Sequence, residues 1–139
     1  EAKAALQAAS GFDLPVWMSF VPGLDGNLLN GESLLDAANL ARSLGAEAVL
    51  VSAGTISMVS KSLPNIMNGL PCGAKAIIGR YSPPSWKPDF YPRFENTDEV
   101  LPEKYAQEAS SWLDQGVQII GGSSGTTPEH IRAVRRVIG

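Results

Sequence analysis

The segment best suited to binding a ligand lies near the end of the chain, where residues 121–125 read GGSSG. Consecutive glycines let the backbone turn sharply and approach a ligand closely. The hydroxyls of Ser123 and Ser124 donate and accept hydrogen bonds, and the helix expected next presents free N–H groups at its positive end. The pattern indicates a site for a carboxylate, a phosphate or a similar anion, but a plain strand-to-helix turn uses the same residues.

Few other residues could do chemistry. A single cysteine, Cys72, excludes an internal disulfide and a cysteine-based metal site within one chain, and we expect it to be an incidental thiol in a turn before a strand. The single histidine, His130, leaves general bases scarce, and capping or packing is its expected role. Residues 80–100 form a long proline- and aromatic-rich stretch, whose aromatic part, residues 81–94, predicts either a lid or donor pocket or a surface loop packed by its own rings.

Composition narrows the class of protein. Apolar residues make up 44% and charged residues 18%, which is typical of a folded domain. The net charge is −3 and most basic residues are scattered, so we expect no nucleic-acid partner. The exception is a helix face with Arg132, Arg135 and Arg136, which we expect to be solvated. No apolar run approaches the roughly 18 residues of a membrane helix, and the start resembles no signal peptide. We therefore expect a soluble, cytoplasmic protein without a membrane partner.

The elements that must position these residues alternate between strand and helix. After a leading helix over residues 2–9, the sequence predicts four strand–helix units within one domain, residues 1–139. The strands are expected at 15–21, 46–51, 74–79 and 117–120, and the helices at 32–44, from Thr55, from Pro102, and from Thr126 or Thr127 to Ile138. The spacing of Thr126 and Glu129 fits a capping box, whereas Pro128 favours Thr127 as the cap.

The predicted fold class is therefore α/β with a parallel sheet, because the second strand is apolar nearly throughout. Both an open doubly wound sheet and half of an eight-stranded barrel fit the pattern. In either fold ligands bind at the carboxyl ends of the strands. The candidate segments are then 19–25, 52–55, 81–94 and 121–127.

Three stretches resemble the homocysteine S-methyltransferase family. Residues 121–131, GGSSGTTPEHI, are similar to its C-terminal signature Gly-Gly-Cys-Cys-Gly-Thr-Thr-Pro-x-His-Ile. Residues 15–20 resemble its Pro-Val-Trp-x-Ser-Phe strand, and residues 25–34 resemble its Asp-Gly…Asp-Gly-x-Ser-Leu stretch. Order and spacing agree over essentially the whole chain. The resemblance implies a (β/α)₈ TIM barrel, of which residues 1–139 supply the C-terminal half, from helix 4 to helix 8.

The same resemblance implies methyl transfer to the thiol of homocysteine, within methionine biosynthesis, and a small amino-acid-like ligand. In the family three cysteine thiolates hold zinc, and their positions fall here on Ala53 (Ser52 if the register slips by one), Ser123 and Ser124. We therefore expect no cofactor for this chain. The residues implied in substrate binding are Ser52, Gly121, Gly122, Ser123 and Ser124.

These observations are compatible with three interpretations of the protein's function. The first is a family member that is inactive or altered in function. The second is an excised piece of an active enzyme whose cysteines were replaced. The third is a non-catalytic half-barrel scaffold, completed either by the N-terminal half-barrel or by a second copy that pairs its exposed strand edges.

Overall fold

The computed structural model describes residues 1–67, 69–81, 94–95 and 100–139. Its helices are α1 (Ala2–Ala9), α2 (Leu34–Ser43), α3 (Ile56–Ser62), α4 (Pro102–Asp114) and α5 (Pro128–Ile138), and a 3₁₀ turn at Leu63–Asn65 follows α3. Its strands are β1 (Trp17–Phe20), β2 (Ala48–Gly54), β3 (Cys72–Ala76), β4 (Arg80–Tyr81), β5 (Phe94–Glu95) and β6 (Ile119–Ile120). None of the described helices is long and apolar enough to cross a membrane.

Four of the strands form one parallel sheet in the order β1-β2-β3-β6. In its register Ser52 lies opposite Lys75, and Ala74 lies opposite Ile120. The predicted α/β class with a parallel sheet is confirmed, and the four strand–helix units are consistent with half of a TIM barrel. The short strands β4 and β5 form a separate antiparallel pair.

The hydrophobic core lies on one face of this sheet. Val49, Val51 and Ala74 belong to it and pack with side chains of the helices, among them Leu34 of α2 and Trp112 of α4. Because side chains alternate along a strand, the neighbouring residues of β1 to β3 face the other way. On that opposite face, which we call the inner face, lie Trp17, Ser19, Leu50, Ser52, Gly73 and Lys75.

The second strand is longer than predicted. It continues to Gly54, so Ser52 and Ala53 lie inside β2 and not in the segment after it. The pairing with β3 shifts register between Ser52 and Gly54. Bulges of this kind are frequent at barrel rims and beside functional sites. Of the segment 52–55, which the sequence placed after the strand, only Thr55 lies outside β2. Its hydroxyl caps α3 by accepting a hydrogen bond from the Met58 N–H at 3.3 Å.

The third strand begins two residues earlier than predicted and ends at Ala76. Cys72 is therefore its first residue and not part of a turn; it is 3% exposed, and its Sγ lies 3.6 Å from the Gly116 carbonyl oxygen. Burial raises the pKa of the Cys72 thiol. The sequence did not predict this start, because glycine is disfavoured in strands. The structure favours glycine here because a Cβ at position 73 would lie 2.6 Å from Leu50 Cγ.

Of the long segment predicted over residues 80–100, the structure describes residues 80–81, 94–95 and 100. Arg80–Tyr81 and Phe94–Glu95 pair as β4 and β5. The prediction of a lid or an aromatic loop falls on residues 82–93 and 96–99, which lie outside the described residues.

Candidate functional site

Two serine hydroxyls meet on the inner face near the carboxyl ends of β1 and β2. Ser19 Oγ donates a hydrogen bond to Ser52 Oγ at 2.8 Å. Ser19 is exposed and Ser52 is partly buried. The sequence singled out Ser52 as a substrate-binding residue and placed Ser19 only within a candidate segment. The strand register explains the pairing, because Ser19 lies opposite Leu50, two residues from Ser52 on the same face.

The loop after β1 is a structural turn. The Asp25 carboxylate accepts from the backbone N–H of Asn27 at 3.0 Å and from its side-chain amide at 3.1 Å. Both hydrogen bonds lower the pKa of the Asp25 carboxyl group, and the one from the Asn27 backbone N–H has the larger effect. Gly26 takes a φ of +84°, which favours glycine, and its carbonyl accepts from Asn65 Nδ2 at 3.3 Å. The Asp25 side chain thus serves the turn rather than a ligand.

Backbone hydrogen bonds attach the glycine-rich loop to β3 and to the segment after it. The Gly121 N–H donates to the Ala74 carbonyl at 3.1 Å, which extends the β3–β6 pairing past Ile120. The Ile78 N–H donates to the Ser124 carbonyl at 3.1 Å. Residues 121 to 124 therefore lie at the carboxyl end of the sheet, where parallel α/β folds bind their ligands.

The loop also folds back on itself. The Thr126 N–H and Oγ1 both donate to the Ser123 carbonyl, at 3.1 and 2.6 Å. Gly122 lies so close to this turn that a Cβ there would overlap Thr126 Oγ1. A glycine is therefore required at position 122. The residues from 121 to 127 are all partly buried.

Helix α5 begins with Thr127 as its cap, which settles the choice left open by the sequence. The partner in the capping box is His130, not Glu129. Its ring Nδ1 accepts from the Thr127 N–H at 3.2 Å, and its Nε2 lies 2.9 Å from the Val100 carbonyl oxygen. Since Nδ1 accepts, the ring proton is on Nε2 and is donated to Val100. His130 thus joins the start of α5 to Val100, two residues before α4.

Tyr105 connects two strand ends and was not assigned to the site from the sequence. Its hydroxyl donates to the Gly121 carbonyl at 2.7 Å and accepts from the Ala76 N–H at 3.3 Å. The ring is fully buried, edge-on to Trp112 at 5.8 Å and to His130 at 6.0 Å. Burial raises the pKa of Tyr105. The sequence did contain a signal for this role: a tyrosine within the apolar stripe of α4 is expected to be buried, and a buried hydroxyl needs hydrogen-bond partners.

Lys75 is the second residue that the sequence did not single out. It lies on the inner face of β3, opposite Ser52, and is partly buried. A Cβ at Gly121 would lie 3.3 Å from Lys75 Cγ and Cδ, so the aliphatic stem runs beside that glycine. A single charge inside an otherwise apolar strand was the signal available in the sequence.

The predicted substrate-binding residues fall into two groups. Ser52 and Gly121 flank Lys75 across three adjacent strands, β2, β3 and β6. Gly122, Ser123 and Ser124 follow in the loop that these strands support. Ala53 lies in β2 at the register shift, one residue from the Ser19–Ser52 pair.

The residues at the three positions that the resemblance assigns to zinc ligands do not fit the metal. Zinc sites use thiolate, imidazole or carboxylate ligands, whereas Ala53 has no donor atom and the hydroxyls of Ser123 and Ser124 are neutral. Among the described residues, no three or more His, Cys, Asp or Glu side chains are grouped so that they could hold a metal ion. We therefore derive no step through a metal.

The fold and the loop define a parallel α/β protein with its candidate site at the carboxyl ends of the strands. The family model for homocysteine S-methyltransferase matches residues 1–138. The chain belongs to the homocysteine S-methyltransferase family, and the resemblance seen in its three sequence stretches is confirmed. No curated protein gives a significant match to the sequence.

Proposed function

We propose that this chain binds an amino-acid-like ligand, with homocysteine as the first candidate, and does not carry out zinc-dependent methyl transfer. The proposal is supported by the family match over residues 1–138 together with the residues Ala53, Ser123 and Ser124, which stand where the resemblance expects the three zinc thiolates. The second interpretation, a piece of an active enzyme whose cysteines were replaced, is addressed by the triple-cysteine variant below.

The loss of thiolates removes the source of nucleophilicity. A thiol has a pKa near 8.5 and is mostly protonated at neutral pH, and zinc bound to its sulfur favours the thiolate. A serine hydroxyl is a poor zinc ligand, because the metal prefers thiolate, imidazole and carboxylate donors. Without the cation, the sulfur of a bound homocysteine stays protonated and attacks a methyl donor poorly.

The capacity to bind remains. The Ser19–Ser52 hydroxyl pair and the glycine-rich loop lie at the carboxyl end of the sheet. The loop is held by Tyr105 from one side and by its own turn at Thr126 from the other. A loop fixed in this way presents its backbone and its two serines without a large ordering cost on binding.

The test combines metal analysis with a methylation assay on the full chain. We expect less than stoichiometric zinc after dialysis against zinc, no methionine formed from homocysteine with betaine, S-methylmethionine or S-adenosylmethionine, and saturable calorimetric binding of homocysteine. Stoichiometric zinc with turnover would contradict the proposal, and so would the absence of homocysteine binding.

A matched variant sharpens this test. The triple change Ala53→Cys, Ser123→Cys and Ser124→Cys restores the family's donor set, and we expect it to take up zinc in the same dialysis. The single change Ser10→Cys, on the exposed end of α1, adds a thiol far along the chain from the site and should not. Zinc uptake by the unmodified chain would show that our account of the three positions is wrong.

A self-assembling scaffold is the second candidate function. Within the described residues, β1 and β6 each pair on one side only, and Trp17 on the inner face is 57% exposed. Two copies that join these edges would cover both inner faces. Sedimentation should then give about twice the 14.7 kDa mass of the chain. A stable monomer at high concentration would contradict this candidate and leave the first untouched.

A further inference from the structure

We infer that Lys75 forms an anion-binding site on the inner face of the sheet, together with the hydroxyl of Ser52, and that this site takes the carboxylate of a small ligand. The identity of the ligand as an amino acid rests on the proposed function. The anion site itself does not, because it follows from the placement of two side chains on neighbouring strands.

The first step is the position of the lysine in the sheet. Lys75 lies between Ala74 and Ala76, whose side chains belong to the core. Strand alternation therefore turns Lys75 to the inner face, together with Gly73. Its register partner on β2 is Ser52. The ammonium group thus belongs to the same face as the serine pair and not to the helix-covered side.

The second step concerns the partners of Lys75 among the described residues. Lys75 is partly buried, and no hydrogen bond or ion pair joins it to any residue in the described parts of the chain. Its stem lies beside Gly121, so the methylene groups contact protein while the charged end remains to be satisfied. A cation held near a sheet surface without a counter-charge favours an anionic ligand.

The third step is the availability of a second donor. Because Ser52 Oγ accepts from Ser19, the proton of the Ser52 hydroxyl is free to be donated to a ligand oxygen. A carboxylate has two acceptor oxygens, which suits one ammonium and one hydroxyl on adjacent strands. Charge-assisted hydrogen bonds of this type are about twice as strong as neutral ones.

The first experiment detects the anion site without assuming the ligand. In the full chain with ¹⁵N-labelled lysine, the side-chain ammonium signals are followed by NMR as sodium acetate replaces sodium chloride at constant ionic strength. We expect the Lys75 signal, assigned by its loss in Lys75→Met, to shift and saturate. The exposed Lys104 of α4 is the control. A Lys75 signal that moves no more than that of Lys104 would overturn the inference.

The second experiment tests the carboxylate directly. Homocysteine and homocysteine amide, in which the carboxylate is blocked, are titrated into the wild-type chain and into Lys75→Met, Lys75→Arg and Lys104→Met. We expect the wild type and Lys104→Met to prefer homocysteine by about tenfold or more, Lys75→Arg to keep part of the preference, and Lys75→Met to lose it. Circular dichroism of each variant checks that it is folded.

The outcomes separate the two claims. Homocysteine binding with an equal preference in the wild type and Lys75→Met would refute the role of Lys75 and leave the proposed function in place. An acetate-induced shift without any homocysteine binding would refute the proposed ligand and leave the anion site in place. If neither probe produces a signal, both claims are wrong.

Discussion

Tyr105 joins the glycine-rich loop to the end of β3 through its hydroxyl group. Changing Tyr105 to Phe keeps the buried ring but removes the hydroxyl from between the Gly121 carbonyl and the Ala76 N–H. The buried Ala76 N–H and the partly buried Gly121 carbonyl then lose a partner, and we expect the free energy of unfolding to fall by about 1–3 kcal/mol. Urea denaturation measures the change.

The control for this prediction is Ser10→Ala, which removes an exposed hydroxyl that bonds locally to the Gln7 carbonyl. We expect it to change stability by less than about 0.5 kcal/mol. If Tyr105→Phe were as mild as this control, the hydroxyl would not hold the two strand ends together.

Gly122 gives a second prediction at the scale of single residues. A methyl group at position 122 would collide with Thr126, so Gly122→Ala should displace the loop and destabilise the protein by about 1–3 kcal/mol. Gly11 is the matched glycine, because its nearest neighbour would be the Ala8 carbonyl oxygen at 3.9 Å. Thermal unfolding of both alanine variants is the measurement, and equal melting temperatures would contradict the predicted collision.

Some site residues could be identified from the sequence, and others could not. The serines and glycines of the loop were recognisable because their types are unusual together and match a family signature. Lys75 and Tyr105 were not assigned a role, because their importance comes from neighbours far along the chain: Ser52, Ala76 and Gly121. Such partners depend on strand register, which local patterns of hydrophobicity do not specify.

At the scale of elements, His130 fixes the start of α5. We expect His130→Ala to speed amide hydrogen exchange in the first turn of α5 and to lower stability by about 1–2 kcal/mol, because it removes both ring hydrogen bonds. Arg135→Ala, on the exposed side of the same helix, is the control and should leave exchange unchanged. Unchanged exchange in His130→Ala would mean that the helix starts without this cap.

The loop after β1 gives a prediction about pH. The Asn27 hydrogen bonds lower the pKa of Asp25 below its ordinary value of 3.8. A carboxyl group with a lowered folded-state pKa stabilises the fold above its unfolded-state value, and this contribution is lost as the pH falls through the folded-state pKa. Asp25→Asn removes the carboxylate and hence this dependence.

The measurement is the free energy of unfolding of the wild type and of Asp25→Asn between about pH 6 and pH 2. We expect the two curves to converge below about pH 4. A constant gap between wild type and Asp25→Asn would contradict the role of the turn.

Most elements could be predicted, but not their ends. Helix α1 has its predicted bounds, whereas α2 starts at Leu34 because Ser33 is the cap and accepts from the Asp36 N–H at 3.2 Å. Strand ends were misplaced where glycine hides strand character, as at Gly73, or where a strand continues through polar residues, as at Ser52. Tertiary packing overrides local preference at both places.

At the scale of the whole molecule, the sheet is covered by helices on one face and presents Trp17, Ser19 and Lys75 on the other. The α/β class and the parallel order follow from the alternation of strand and helix patterns. The sequence could not distinguish an open sheet from half a barrel, because both have the same periodicity. In the described residues the main core cluster lies on the helix side of the sheet, which is consistent with half of a TIM barrel.

The central claim is that this member of the homocysteine S-methyltransferase family binds homocysteine without a zinc-bound thiolate. Calorimetric titration of homocysteine at about pH 7, in two buffers of different ionisation enthalpy and in the presence of zinc, tests it most directly, because coordination of a thiol to zinc releases its proton. We predict saturable binding with the same enthalpy in both buffers. A difference that corresponds to the release of about one proton per homocysteine would contradict the account.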